Sequence, residues 1–104
     1  MDLERDIERH LVRRAIEQGG KAYKWVSPGH VGVADRIVLL PNGVVWFVEL
    51  KSSTGRLSPL QKIFAADMVR MGMQYVVLRS KEEVDQWMQD RLNTSPAHLT
   101  ALKR

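Results

Sequence analysis

The sequence predicts a mixed α/β domain in which a sheet is flanked by helices, with the element order α-β-β-β-α-β-α. Apolar residues recur every four positions near the N-terminus, as they do on the buried face of a helix. Two apolar runs are joined by Pro41-Asn42-Gly43, and the Asn-Gly pair favours a β-hairpin because it readily adopts positive φ. A capped helix then separates this hairpin from one more apolar strand and a final helix.

The elements are predicted from periodicity and from residues that start or stop helices. The first helix covers residues 3–18 and ends at Gly19-Gly20. The second begins after Ser58, with Pro59 in the first helical position and Gln61 completing a capping box. A third helix is predicted over residues 81–90. The predicted strands cover residues 21–26, 33–40, 44–51 and 73–79.

Length and composition narrow the class of protein. The chain has 104 residues, which suits one domain, predicted here over residues 1–91. Residues 92–104 show weak periodicity and are predicted to be a tail that is either mobile or bound to a partner. No cysteine is present, so any metal must be held by oxygen or imidazole ligands.

Charge and hydropathy favour a soluble, cytoplasmic protein. No apolar run approaches the roughly 18 residues of a membrane span, and the charged start is unlike a signal peptide. We therefore expect no membrane partner. The formal charge of +4 permits binding to nucleic-acid phosphates without establishing it.

Two carboxylates and a lysine approach one another at the end of the predicted hairpin. Glu49 and Lys51 are two positions apart on one strand, so their side chains share a face. Asp35, on the preceding strand, converges with Glu49 if the two faces agree. A divalent cation such as Mg²⁺ would compensate their charges, and Lys51 would act on a water or a phosphate. The alternative is a surface ion pair between Glu49 and Lys51.

The first helix offers a third carboxylate. At about 100° per residue, Glu4 falls within the apolar stripe, whereas Glu8 lies at its edge. An inward Glu4 needs a partner, which is either a metal site or a salt bridge to Arg14. Gln61 is explained by the capping box, and its spacing alone assigns it no place in a site.

Basic residues near the proposed site are candidates for contacts with backbone phosphates. His30, in a glycine-containing loop, is either such a contact or an ordinary loop residue. The three tryptophans are interleaved with apolar residues and are expected in the core. The basic candidates are Lys24, Arg36, Arg56 and Lys62.

Together these residues resemble a known family. Asp35 followed by Glu49-Leu50-Lys51 is similar to the PD-(D/E)xK nuclease signature, and the chain more closely resembles the VRR-NUC (virus-type replication-repair nuclease) family over residues 3–89. The matching segments are Glu4-Arg5-Asp6-Ile7, residues 27–35, Phe47-Val48-Glu49-Leu50-Lys51 and Leu57-Ser58-Pro59-Leu60-Gln61. One departure is Ala34, where the family usually has proline; we expect a change in loop rigidity with activity retained.

The resemblance implies a restriction-endonuclease-like αβββαβ core. It implies metal coordination by Asp35, Glu49 and the backbone carbonyl of Leu50, with Lys51 as a catalytic residue. It further implies that Glu4, rather than Glu8, is the helix carboxylate of the metal site, and that Gln61 belongs to the catalytic set.

On this basis we expect an endodeoxyribonuclease dependent on Mg²⁺ or Mn²⁺. The stand-alone members of the family resemble Holliday-junction resolvases, which implies a homodimer acting on four-way junctions or other branched DNA. One alternative is a non-catalytic, structure-selective DNA-binding subunit. Another is a small dimeric adaptor without a nucleic-acid partner, suggested by apolar residues in excess of what one core needs, Met68, Met71 and Met73.

Overall fold

The computed structural model describes residues 1–93, with backbone alone at Leu92 and Asn93. Residues 94–104 of the predicted tail lie outside the described part of the chain, so its binding or mobility stays a prediction. No helix among the described residues is long and apolar enough to cross a membrane.

The predicted order of elements is confirmed, and four strands form one mixed sheet flanked by helices. The last helix extends three residues beyond its predicted end, to Asn93. The elements are α1 (Glu4–Glu17), β1 (Lys21–Lys24), β2 (Arg36–Leu40), β3 (Val44–Leu50), α2 (Pro59–Arg70), β4 (Tyr75–Leu78) and α3 (Lys81–Asn93).

The sheet has the strand order β1-β2-β3-β4. Strands β1, β2 and β3 are antiparallel neighbours, while β3 and β4 are parallel, and α2 makes the crossover between them. The predicted hairpin turn is present: Asn42 and Gly43 have φ values of 71° and 78°. Because Asn and Gly tolerate this region, the turn fixes the register of β2 against β3.

Helices α1 and α3 cover one face of the sheet, and the core lies between them and the strands. Trp46 of β3 packs edge-on against Trp87 of α3, with ring centroids 5.6 Å apart. The tryptophans are thus packed within the fold, as expected. The fully buried core side chains include Ile7, Leu11, Val38, Val48, Leu50, Val84 and Met88.

Helix α2 covers only part of the opposite face. Its Phe64 contacts three aromatic rings, which are Trp25 just after β1, Phe47 in β3 and Tyr75 in β4. The rest of that face carries Tyr23, Leu39, Val45 and Met73, each between 39% and 52% exposed. We call these four residues the apolar sheet patch.

Several strand boundaries differ from the sequence prediction: β1 ends at Lys24 rather than at residue 26, and β4 covers Tyr75–Leu78 rather than residues 73–79. Strand β2 begins at Arg36 rather than at residue 33, and the chain from residue 25 to Asp35 is a loop. Gly32, with φ +106°, brings this loop onto the start of α2: a Cβ atom built there would lie 2.7 Å from the backbone of Leu60. Close backbone contact, which only glycine permits, therefore replaces sheet pairing in this segment.

We predict that Gly32→Ala destabilises the protein more than Gly29→Ala does. Both glycines have positive φ, which costs alanine roughly 1–2 kcal/mol, but a Cβ at Gly29 would meet nothing within 4 Å. The overlap with Leu60 should add about 1–3 kcal/mol. Thermal unfolding measures the difference, at roughly 4–8 °C per kcal/mol for a domain of this size. Equal melting temperatures in the two variants would show that the loop does not pack on α2.

Candidate active site

Three carboxylates meet at one end of the sheet. Arg36 is paired with Val48, so the same register continued by one residue places Asp35 opposite Glu49. Glu4 arrives from the first turn of α1. Each of the three offers a carboxylate oxygen, and these oxygens all lie within 4.8 Å of one another.

The Glu49 carboxyl group is the buried member of the cluster, with 1% of its surface exposed. Its Oε2 accepts a hydrogen bond from Nε2 of Gln61 at 3.2 Å and lies 3.8 Å from Nζ of Lys51. Its Oε1 is buried and has no hydrogen-bond partner among the described residues. Burial first, and then the neighbouring Asp35 carboxyl group, raise the pKa of Glu49 to about 8.

The Asp35 side chain is held by the backbone of the next strand. Its Oδ2 accepts a hydrogen bond from the Leu50 N–H at 2.8 Å. Leu50 thus positions Asp35 through its amide, while a role for the Leu50 carbonyl as a metal ligand remains a prediction. The backbone carbonyl of Asp35 also accepts from Trp25 N–H at 3.1 Å, which fixes the residue just before β2 begins.

Gln61 makes the predicted capping contacts and also contacts Glu49, while its catalytic role stays a prediction. Its Oε1 accepts from the Ser58 N–H at 2.8 Å, and its N–H donates to Oγ of Ser58, which completes the predicted capping box. The other end of the same amide, Nε2, points to Glu49. The start of α2 and the orientation of Glu49 therefore depend on one side chain.

Glu8 is separate from the carboxylate cluster. Its Oε2 accepts hydrogen bonds from Nε of Arg36 at 2.8 Å and from Nζ of Lys24 at 3.1 Å. Burial opposes ionisation of Glu8, but the bonds from Lys24 and Arg36 outweigh it and lower its pKa. The salt bridge from Glu4 to Arg14 considered above is wrong, because Arg14 pairs with Glu17 and Asp85 instead.

The basic residues predicted to contact DNA fall into two groups. Lys24 and Arg36 both bond to Glu8 beside α1, as described above. His30, Arg56 and Lys62 are exposed on the loops and on α2, and within the described part of the chain they make no contact with the three carboxylates. Lys51, by contrast, is largely buried beside Glu49.

Tyr75 was missed by the sequence analysis. It lies beside Phe47 in the parallel register of β3 and β4, and so on the same face as Glu49. Its hydroxyl is buried without a hydrogen-bond partner among the described residues. Burial first, and then the charges of Glu49 and Asp35, raise its pKa to about 12. Alternation along β4 would have placed it on one face of that strand, but only a known strand order puts it beside Phe47, two residues before Glu49.

The three carboxylates fit a hard divalent cation. Their donors are oxygens, which Mg²⁺ and Mn²⁺ prefer over softer ligands. The buried and unpartnered Oε1 of Glu49 would gain a partner, and a cation would compensate charges that otherwise repel one another. Ordinary ion pairing leaves both features unexplained.

A sheet that ends in this cluster, with a lysine beside it, has the arrangement expected of the PD-(D/E)xK nucleases. The chain belongs to the VRR-NUC domain family, whose model matches residues 3–82. The resemblance found in the sequence is thereby confirmed, and the protein is a nuclease of this family.

A phage protein and a solved structure are similar to the chain. The "Putative nuclease p44" of Acyrthosiphon pisum secondary endosymbiont phage 1 is 46% identical over 79 residues, 76% of this chain and 85% of that protein. A solved VRR-NUC domain superposes with a TM-score of 0.79 at 29% identity, covering 83% of this chain and 94% of that one. The predicted fold class is confirmed by this match.

We predict that Glu8→Gln lowers the stability of the protein at neutral pH and makes that stability less dependent on pH in the acidic range. Because the pKa of folded Glu8 lies below its ordinary value of 4.5, ionised Glu8 stabilises the fold above that pH, and the contribution is lost as the pH falls. Thermal unfolding from pH 7 to pH 3 should therefore decline less steeply in Glu8→Gln than in the wild type.

Glu17→Gln is the matched control, since Glu17 pairs with Arg14 on the same helix but is about half exposed. Its unfolding curve should follow the wild type closely. If Glu8→Gln and Glu17→Gln had the same pH profile, the contribution of the Glu8 ion pairs would be disproved.

Proposed function

We propose that the protein is an endodeoxyribonuclease that hydrolyses phosphodiester bonds with a bound Mg²⁺ or Mn²⁺ ion. The observation that supports this proposal is the meeting of Glu4, Asp35 and Glu49 within 4.8 Å, with Glu49 buried. Membership of a nuclease family supports DNA as the substrate.

Glu4, Asp35 and Glu49 would hold the cation, together with the Leu50 carbonyl that the family resemblance implies. When bound, the cation would activate a water for attack and neutralise charge on the phosphate. The Leu50 N–H and the Gln61 amide orient the Asp35 and Glu49 carboxylates before any cation arrives. This preorganisation leaves the ligands little to reorder on binding.

Lys51 would act on the substrate rather than on the cation. Its side chain is largely buried, with Nζ 3.8 Å from Oε2 of Glu49, so it would lie beside the scissile phosphate. A fixed cation there would stabilise negative charge that develops on the phosphate during attack. His30, Arg56 and Lys62 would contact neighbouring phosphates along with Lys24 and Arg36.

We predict that Asp35→Asn and Glu49→Gln each abolish cleavage while the protein stays folded and still binds DNA. Each substitution removes a charged ligand and preserves volume, so calorimetric titration with Mn²⁺ should show weakened binding. Lys51→Met should lose cleavage but retain Mn²⁺ binding, because it removes no ligand. Gel assays with Mg²⁺, Mn²⁺ and EDTA measure the activity.

Two results would contradict these roles. Wild-type cleavage by Asp35→Asn or Glu49→Gln would exclude the carboxylate site. Equal loss of Mn²⁺ binding in Lys51→Met and Asp35→Asn would make Lys51 part of the cation site. A wild-type protein that binds branched DNA and never cleaves it would instead be a non-catalytic DNA-binding subunit.

The proposed substrate is branched DNA such as a four-way junction, cut by a homodimer. The apolar sheet patch supports the second copy, since an apolar surface spanning neighbouring strands is commonly an interface. Met71, just after α2, extends the apolar surface beyond the patch. A two-fold dimer would hold two sites at a fixed separation and angle, so the shape of the DNA would select the substrate.

We predict a dimer at micromolar concentration that cuts a junction faster than a linear duplex. Val45→Glu, in the centre of the patch, should produce monomers and remove the preference for junctions. Light scattering measures the mass, with Val26→Glu as the control because Val26 is a more exposed valine outside the patch. A wild-type monomer that cuts both DNAs equally fast would be a general nuclease and no resolvase.

A further inference from the structure

We propose that a groove along the outer side of α1 binds the DNA flanking the cleavage site. This inference rests on the proposed function, because it takes DNA as the substrate of the carboxylate cluster. The groove has a volume of about 660 Å³ and lies between α1 and the ends of β1 and β2. We call it the α1 groove, and its basic residues are Arg5, Arg9, Arg13, Lys24 and Arg36.

The charge of the α1 groove favours a polyanion. Five basic and two acidic side chains line it, an excess of three positive charges. One of the acids, Glu8, is neutralised by Lys24 and Arg36, and the other, Glu17, bonds to Arg14 outside the lining. The guanidinium groups of Arg5, Arg9 and Arg13 are therefore left to attract phosphates.

The three α1 arginines of the groove are available for that contact. Arg5 has no hydrogen bond or ion pair within the described part of the chain. Arg9 is 80% exposed, and its ion pair with Asp6 is long, at 3.9 Å. Arg13 donates a hydrogen bond to the imidazole of His10. These three are spaced four residues apart, so they rise about 6 Å from one to the next along one side of the helix.

The floor of the groove is apolar. Val12 lines it together with Ile16, which is 61% exposed although it is a large aliphatic side chain. Arginines at the rim and an aliphatic floor match the surface of a nucleic-acid strand, where anionic phosphates alternate with the carbon surface of the sugars. A free inorganic anion would use the rim but not the floor.

The α1 groove and the carboxylate cluster are formed by residues that are neighbours in the sequence. The groove begins at Arg5, the residue after Glu4, and includes Arg36, the residue after Asp35. From Arg5 to Ile16 the helix rises roughly 17 Å, which corresponds to about five nucleotides of one strand at 3.4 Å each. DNA that follows the groove would thus extend about five nucleotides beyond the scissile phosphate.

The test is DNA binding as a function of salt, measured by fluorescence anisotropy in EDTA so that no cleavage occurs. Wild type, Arg9→Gln and the triple variant Arg5→Gln/Arg9→Gln/Arg13→Gln are compared on a labelled junction with long arms. Each lost phosphate contact should reduce the log-log salt slope by about 0.9. We therefore expect a reduction of about 0.9 for Arg9→Gln and up to about 2.7 for the triple variant.

Arg70→Gln is the matched control. Arg70 is 71% exposed and pairs with Asp67 three residues earlier, as Arg9 does with Asp6, but it lies on α2. Its slope should equal that of the wild type. Shortening the flank to fewer than about five nucleotides should remove the difference between wild type and triple variant.

The outcomes separate this inference from the proposed function. A wild type that neither binds nor cleaves DNA would disprove both. Normal cleavage with unchanged slopes in Arg9→Gln and the triple variant would overturn the α1 groove alone. If those variants bound DNA normally but lost binding to polyglutamate, the groove would be a site for an acidic protein, which also overturns the proposal.

Discussion

The burial of the Glu49 carboxyl group is the constraint that organises the end of the sheet. A carboxylate removed from water is unfavourable unless other groups compensate it. Here the compensation is incomplete: the Gln61 amide and the Lys51 ammonium contact one oxygen, while the other has no hydrogen-bond partner in the described residues. The fold thus keeps a destabilising group in place, as proteins commonly do at functional sites.

Several elements of the fold hold the Glu49 carboxyl group in place. The hairpin register sets Asp35 opposite Glu49, and the loop before β2 is fixed by close contact between Gly32 and Leu60. That contact lies next to Gln61, whose side chain caps α2 and bonds to Glu49. The loop, the helix and the carboxylate are therefore mechanically connected within a few residues. A change in the loop would therefore shift the position of Glu49, although the two are not in direct contact.

Much of this arrangement could be predicted from local signals in the sequence. The Asn42-Gly43 turn and the alternation of side chains along the strands predict that Asp35 approaches Glu49. The capping box predicts where α2 begins. The separate contacts of Glu4 and Glu8 in the first helix were harder to predict. A helical wheel shows the direction in which a side chain points but not the residue that it contacts. It could not show that Glu8 meets Arg36, a residue 28 positions away. Likewise, residues 33–35 read as the start of a strand, since the contact of this loop with Leu60 is a tertiary feature.

The first turn of α1 has a consequence for the affinity of the site. Leu3 precedes this turn without supplying a side-chain cap, while Asp2 accepts a hydrogen bond from the N–H of Lys81 at the start of α3. Helix ends fray, and an opening of this turn would withdraw Glu4 from the other two carboxylates. The apparent dissociation constant for a ligand that needs Glu4 is then the intrinsic constant divided by the fraction of molecules with a closed turn. For such a ligand, residues that never touch it, such as Asp2, would set part of its affinity through a local order–disorder equilibrium.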